Sequence, residues 1–199
     1  MNNQKYTSAI KKTPYNYYIA KKIANLINKG SDRAEVYYEC FNNNLIGIDS
    51  IERRREVTNV IYDRVILLDK YLLEQFLDGD IVTSKFILVY ATAKNDPLFF
   101  EFLFEIYREA LLNEKQYISL DDFETFFIGK KESNAKVNKW GEYTIDQLGK
   151  GYRNILVESG LGVREKRNIR VHKILIHPDV VKHLKLIKDD VYLKAILGV

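Results

Sequence analysis

Apolar positions recur every three to four residues along most of this 199-residue chain. That spacing predicts a succession of helices, and Gly, Asp, Ser and Pro punctuate it. A short apolar lead-in at 6–10 precedes a helix over 15–28, starting just past Pro14, with Ile19, Ile23, Leu26 and Ile27 as its stripe. Gly30 stops it and Ser31 caps a second helix over 32–41, which gives a helical hairpin or a further helix-turn-helix. Ser50 caps a long helix over 51–68, with Val57, Val60, Ile61, Val65 and Leu68 inward. Arg64 falls inside that face, and a buried guanidinium must be paired; Asp63, Asp69 and the acidic middle of the chain, 34–129, offer candidates. A short helix over 71–77 ends at Gly79, Asp80 caps one over 81–93, and Asp96-Pro97 opens one over 97–112. Phe99, Phe100, Phe102, Leu103, Phe104, Ile106 and Tyr107 surround most of that helix, which predicts burial at the centre of a bundle. Ser119 caps a helix over 120–128, where Asp121 and Asp122 suit the positive end of the dipole. Residues 129–142 form a polar, basic connection, or a short helix, holding the only Trp. His177-Pro178-Asp179 opens a helix over 180–187, and the apolar piece 191–197 docks on the core.

The stretch 143–176 carries a different pattern. Ile145, Leu148, Tyr152, Ile155 and Leu156 mark one helical face, and Thr144 with Gln147 has the form of a capping box. Gly160 and Gly162 end the helix, since glycine readily takes the left-handed conformation at a helix end. The following GVREKRNIRVHKILI predicts a short hairpin with its turn in EKRN. Helix, glycine stop and two-stranded ribbon outline the reading half of a winged helix-turn-helix, whose helix enters a major groove while the ribbon meets the backbone. A helix and hairpin of any α+β domain share that outline. Gly149 and Gly151 each cost a helix interior about 1 kcal/mol against Ala, so they mark either a kink or a close approach of the backbone to something else.

Charge weights this choice. The net charge is +4, unevenly placed. Residues 1–33 hold seven Lys/Arg against one Asp, 34–129 nine against eighteen acids, and 130–175 eleven against five. Two basic lobes flank an acidic middle, which suits placed contacts with a polyanion. The face opposite the apolar stripe carries Gln147, Lys150, Arg153 and Asn154, and the ribbon adds Arg164, Lys166, Arg167, Arg170 and Lys173. These side chains reach phosphates or base edges. Lys21 and Lys22 form a second basic patch on the first long helix.

Other chemistries lack their residues. There is no GxxxxGK[ST] phosphate loop, and GKGYRN does not match GxGxxG. His172, His177 and His183 are spread from strand to helix with no Cys pair near, so no zinc site is expected. Cys40 is alone, which excludes an internal disulfide and fits a reducing cytoplasm. No run of 18 apolar residues is present for a membrane helix, and the N-terminus lacks the apolar core of a signal peptide. No catalytic constellation, metal or cofactor is expected.

YTSAI, then a helix, then YYECFNNNLIGIDSIERRREVTNVIYDRVILL, resembles the front half of the BrxA family; DDFETFF, and YRNILVESGLG followed by a ribbon, resemble its back half. The resemblance spans nearly the full length and brings no catalytic signature. It implies a small component of BREX bacteriophage-resistance systems that binds double-stranded DNA through helix-turn-helix or winged-helix elements. It also implies work beside a DNA methyltransferase, an ATPase and an alkaline-phosphatase-like protein.

Together these readings predict a mainly α, multi-helix bundle with helix-turn-helix or winged-helix elements and one small β-hairpin wing. A helical bundle over 1–115 precedes a winged-helix-like region over 116–199, or the two pack as one domain. The expected protein is cytoplasmic and non-catalytic, and it binds duplex DNA. RNA binding of the antitermination type, and an adaptor whose acidic middle docks basic partners, are the rival readings.

Overall fold

The computed structural model describes residues 6–13, 15–113 and 116–199. A domain boundary at 115 falls outside the described residues, and the helix expected over 15–28 begins at Tyr17, after Asn16. The described chain is mainly α with one three-stranded antiparallel sheet. A 3-10 turn, Ala9–Lys11, leads into α1 (Tyr17–Asn28), α2 (Arg33–Phe41), α3 (Ile51–Val65), α4 (Lys70–Asp78) and α5 (Ile81–Asn95). Then follow α6 (Pro97–Phe102), a π turn (Leu103–Tyr107), α7 (Arg108–Leu112) and β1 (Tyr117–Ile118). The chain continues through α8 (Leu120–Ser133), α9 (Ala135–Asn138), α10 (Glu142–Ser159), β2 (Gly162–Glu165), β3 (Asn168–Val171), α11 (Pro178–Leu186) and α12 (Asp190–Leu197).

Local side-chain chemistry sets most helix starts. Ser50 accepts from Arg53 N, Asp69 from Leu72 N and Asp80 from Val82 N and Thr83 N, each filling an otherwise unpaired donor of a first turn. Ser119 and Asp122 close a reciprocal capping box at α8. Several boundaries differ from expectation; the helix over 51–68, for one, stops at Val65. The cap of α2 is Asp32, not Ser31, because Glu35 reaches back to complete a box with it. The Thr144–Gln147 box does not form: α10 starts earlier, after Gly141, which leaves Thr144 inside the first turns. The helix over 120–128 runs on to Ser133, through Gly129, where nothing stands within 4 Å of the missing Cβ.

The aromatic segment expected at the centre buries Leu98, Phe99, Phe102, Leu103 and Tyr107 completely, and α5 before it is enclosed as well. Phe86, Ile87, Leu88, Val89, Tyr90 and Ala91 are all fully buried. It packs on α3, α4, α6, α10 and α12. A helix apolar all round has no solvent face and must be enclosed. The segment after it turns Phe104 outward through the π turn, with Arg108 over the ring.

One apolar core runs from Ile10 to Ile196. At its heart Arg64 is fully buried, and its Nη2 donates to the Thr13 carbonyl at 2.7 Å. Burial pushes the guanidinium down to about 10, and the charge of Asp96 opposes that shift. Asp96, one of the acids of the 34–129 stretch, and neither Asp63 nor Asp69, is therefore the acid that balances it; burial in turn pushes the Asp96 carboxyl up. Asp69 instead caps α4 and meets His183 at 2.6 Å.

The sheet has the order β1-β3-β2, with Tyr117 opposite Arg170 and Val163 opposite Arg170 on the other side. β1 is too short for periodicity to reveal. It pairs with a strand more than fifty residues later and completes a small sheet beside α10.

Candidate nucleic-acid interface

Helix α10 is held by its inner face. Tyr152 is fully buried, with its ring 5.0 Å from those of Phe99 and Phe102 and 5.6 Å from that of Phe127. Gly151 lies against the 3-10 turn. A Cβ there would stand 2.8 Å from Ile10 Cγ2 and 2.9 Å from its carbonyl oxygen. Close backbone approach, and not a kink, is thus the role of this glycine. At Gly149 the nearest atom would be Phe127 Cε2, at an ordinary 3.9 Å.

The outer face carries Lys150, Arg153 and Asn154, all on α10. Lys150 is exposed and ion-paired to Asp146 one turn earlier, at 2.7 Å. Arg153 is half-buried over the Phe123 ring, 5.8 Å from its centroid. Burial, and then the neighbouring charge of Arg164, lowers its pKa. Asn154 Oδ1 accepts a hydrogen bond from Arg164 Nη2 at 3.2 Å, which ties the helix to the ribbon.

Strand geometry divides the ribbon's charges. Side chains alternate between faces, and directly opposed residues share a face. Arg164 is opposite buried Ile169 and so turns toward α10, whereas Arg170, opposite Val163, points the other way. Arg170 forms an ion pair with Glu165 at 2.9 Å. Lys166 and Arg167 form the exposed turn, with Lys166 in the left-handed conformation at φ 55°. Lys173 is exposed beyond the end of β3.

Lys21 and Lys22 serve the fold. Lys21 donates to the carbonyls of Phe76 and Leu77 at the C-terminal end of α4, where a cation complements the helix dipole. Lys22 donates to the Leu45 carbonyl at 2.8 Å. Arg54, in the basic run at the start of α3, likewise holds the carbonyls of Phe41 at the end of α2 and of Ile48 and Asp49 in the loop between the two helices.

A half-open groove of about 430 Å³ between α8 and α10 was not foreseen. Its floor is Phe123, Phe127 and Ile145, and Lys131, Asp146 and Arg153 stand at its rim. Tyr143, at the start of α10, is 73% exposed. The signal for both lay in the apolar residues at 143, 145 and 128, which extend the helical stripes past the solvent boundary.

Among the described residues, no three His, Cys, Asp or Glu side chains gather where a metal ion could be held. No described helix is long and apolar enough to cross a membrane.

Fold and site together define a mainly α protein in which a helix carrying Lys150 and Arg153 on its outer face is joined to a basic β-ribbon. A family model described as BrxA matches residues 4–188. A curated protein named BREX protein BrxA, from Bacillus cereus (strain H3081.97), is 32% identical over 198 residues, covering 100% of this chain and 99% of that one. The chain belongs to the BrxA family. A crystal structure described as an uncharacterized protein from Magnetospirillum magneticum superposes with a TM-score of 0.84 at 18% identity, covering 96% of this chain and 98% of that one, so the fold is shared.

Proposed function

We propose that this protein is a non-catalytic, cytoplasmic, double-stranded-DNA-binding component of a BREX bacteriophage-resistance system, acting beside a methyltransferase, an ATPase and a phosphatase-like protein. In this reading α10 is the groove helix of a winged helix-turn-helix and β2–β3 is its wing. The order β1-β3-β2, with α8, α9 and α10 between the first strand and the ribbon, supports that assignment.

The observation that carries it is the juxtaposition of Arg153 and Arg164. One comes from the helix and one from the ribbon, and after burial it is the nearby Arg164 charge that lowers the Arg153 pKa. Holding like charges together costs free energy, which a phosphate between them would recover. Asn154 fixes the pair by binding Arg164.

Fluorescence anisotropy with a labelled duplex tests this. With about 4–6 phosphates neutralised, log affinity falls against log salt with a slope of roughly −4 to −5. Replacing Arg164, Lys166, Arg167 and Arg170 by Ala weakens binding and makes the slope shallower by about 0.9 for each phosphate no longer neutralised. Replacing Lys182, Lys185 and Lys188 on and after α11 is the control. Equal losses from both sets, or RNA of the same length competing better than the duplex, would overturn the assignment.

A further inference from the structure

Gly149 and Gly151 are near neighbours on α10, yet packing requires only one of them. Ile10 stands where a side chain at 151 would go. At 149 a Cβ would meet only Phe127 Cε2, at 3.9 Å, and the backbone there is not in the left-handed conformation. A glycine inside a helix costs about 1 kcal/mol against Ala. Among the described residues nothing requires a glycine at 149 in return. What Gly149 does is leave open the floor of the groove between α8 and α10. At about 430 Å³ this groove falls within the roughly 300–1,000 Å³ of small-molecule sites. Phe123 and Phe127 line its floor with aromatic rings, and Ile145 adds an aliphatic wall.

One turn further along α10, Arg153 stands at the rim with its guanidinium over the Phe123 ring. It is half-buried and has no hydrogen bond or ion pair among the described residues. A guanidinium has five N–H donors, so a half-buried one with none in use lacks an acceptor. The acids of the rim do not supply it. Asp146 is held by Lys150 at 2.7 Å. Glu142 lies in the first turn of α10, about 16 Å along the helix from Arg153. Glu124 is exposed and is not among the charges that act on Arg153, of which Arg164 is the strongest.

We propose that this groove is a binding site for a small aromatic monocarboxylic acid. Its ring lies on the floor at Gly149, beside Phe127, and its carboxylate takes the Arg153 guanidinium, whose planar fork matches two carboxylate oxygens. One helical turn separates Gly149 from Arg153, about 6 Å along the axis, so a two-carbon link between ring and carboxylate spans the site. An amine of the same length would meet Arg153 charge to charge. Under the proposed function the same guanidinium faces the duplex, so an occupied groove withdraws it from the phosphate. That second step rests on the DNA-binding reading, and the first does not.

3-Phenylpropionate is the probe, with 3-phenylpropylamine as its cationic counterpart and acetate as the control for added salt. Ligand-observed NMR on the full-length protein without DNA measures the first step. The acid should bind, and the amine and acetate should not. Gly149→Leu fills the floor, and Arg153→Met keeps an apolar chain over Phe123 without the charge. Each should weaken the acid by about tenfold or more, whereas Lys182→Ala on α11 should leave it unchanged. Circular dichroism confirms that the variants are folded. No binding of the acid, equal binding of the amine, or full affinity in either folded variant would overturn the site. In the second step, saturating acid should weaken duplex binding about as far as Arg153→Met does, and should add nothing to that variant's loss. Acid that binds the protein alone but leaves duplex affinity unchanged would overturn the competition and leave the site standing. Full duplex affinity in Arg153→Met would instead count against Arg153 in the proposed function.

Discussion

Gly151 of α10 and Ile10 of the 3-10 turn are in direct backbone contact: a side chain at 151 would place its Cβ 2.9 Å from the Ile10 carbonyl oxygen. This contact seats α10 against the N-terminal segment. Gly151→Ala should therefore destabilise the protein by up to about 2 kcal/mol, the overpacking cost of about 1–3 kcal/mol less the roughly 1 kcal/mol gained in helix propensity. Gly149→Ala, with only an ordinary contact to Phe127, should instead stabilise it by up to about 1 kcal/mol. Urea denaturation of the two variants measures the pair, and the opposite order would refute the seating.

Lys21 should matter to stability and not to DNA. Its ammonium group holds two carbonyls at the end of α4. Lys21→Ala should cost about 1–2 kcal/mol, the scale of hydrogen bonds from a charged donor. Its salt slope for duplex binding, measured on folded protein, should match the unmodified chain. A shallower slope would place Lys21 on the DNA surface.

Asp146 should act as a brake on binding under the proposed function. It ties up Lys150 and puts a negative charge on the groove face of α10. Asp146→Asn frees the lysine and should tighten duplex binding about two- to fivefold at low salt, equivalent to roughly 0.5–1 kcal/mol, the scale of an exposed ion pair. The gain should fade as salt rises. Weaker binding would mean that the ion pair positions Lys150 for its phosphate.

Asp80 should give part of the acid sensitivity. Hydrogen bonds from Thr83 and Val82 at the start of α5 hold its carboxyl below the ordinary 3.8. A carboxylate depressed in the folded state contributes stability above its unfolded value, and that contribution is lost as pH falls through the lower folded value. Asp80→Asn keeps a capping oxygen but has no charge to lose. The difference in urea midpoint between the two proteins should be largest near neutrality and shrink as pH drops below 3.8. A gap independent of pH would show that Asp80 is not one of the titrating groups. Asp179 and Asp190, depressed by Lys182 and Lys194, lose their contribution in both proteins alike.

The sequence by itself determined the helical fold class, most helix starts and the ribbon's turn. Asp80, Ser119 and Ser50 cap within three residues, and Gly160 ends α10 in the left-handed conformation, so these signals are local. The family resemblance was equally legible, since it rides on segments spread along the whole chain. The tertiary structure alone decided what the distant contacts decide. Gly149 and Gly151 are indistinguishable in sequence until Ile10 arrives against one of them. Arg64 is balanced by Asp96, thirty-two positions away, because burial makes it seek charge through space and not along its own helix. β1 exists only because β3 offers it an edge. The basic ribbon reads as one charged run, yet the pleat sends Arg164 toward α10 and Arg170 the other way. Side-chain direction depends on which strand face meets the core, and packing fixes that only after the chain has closed on itself.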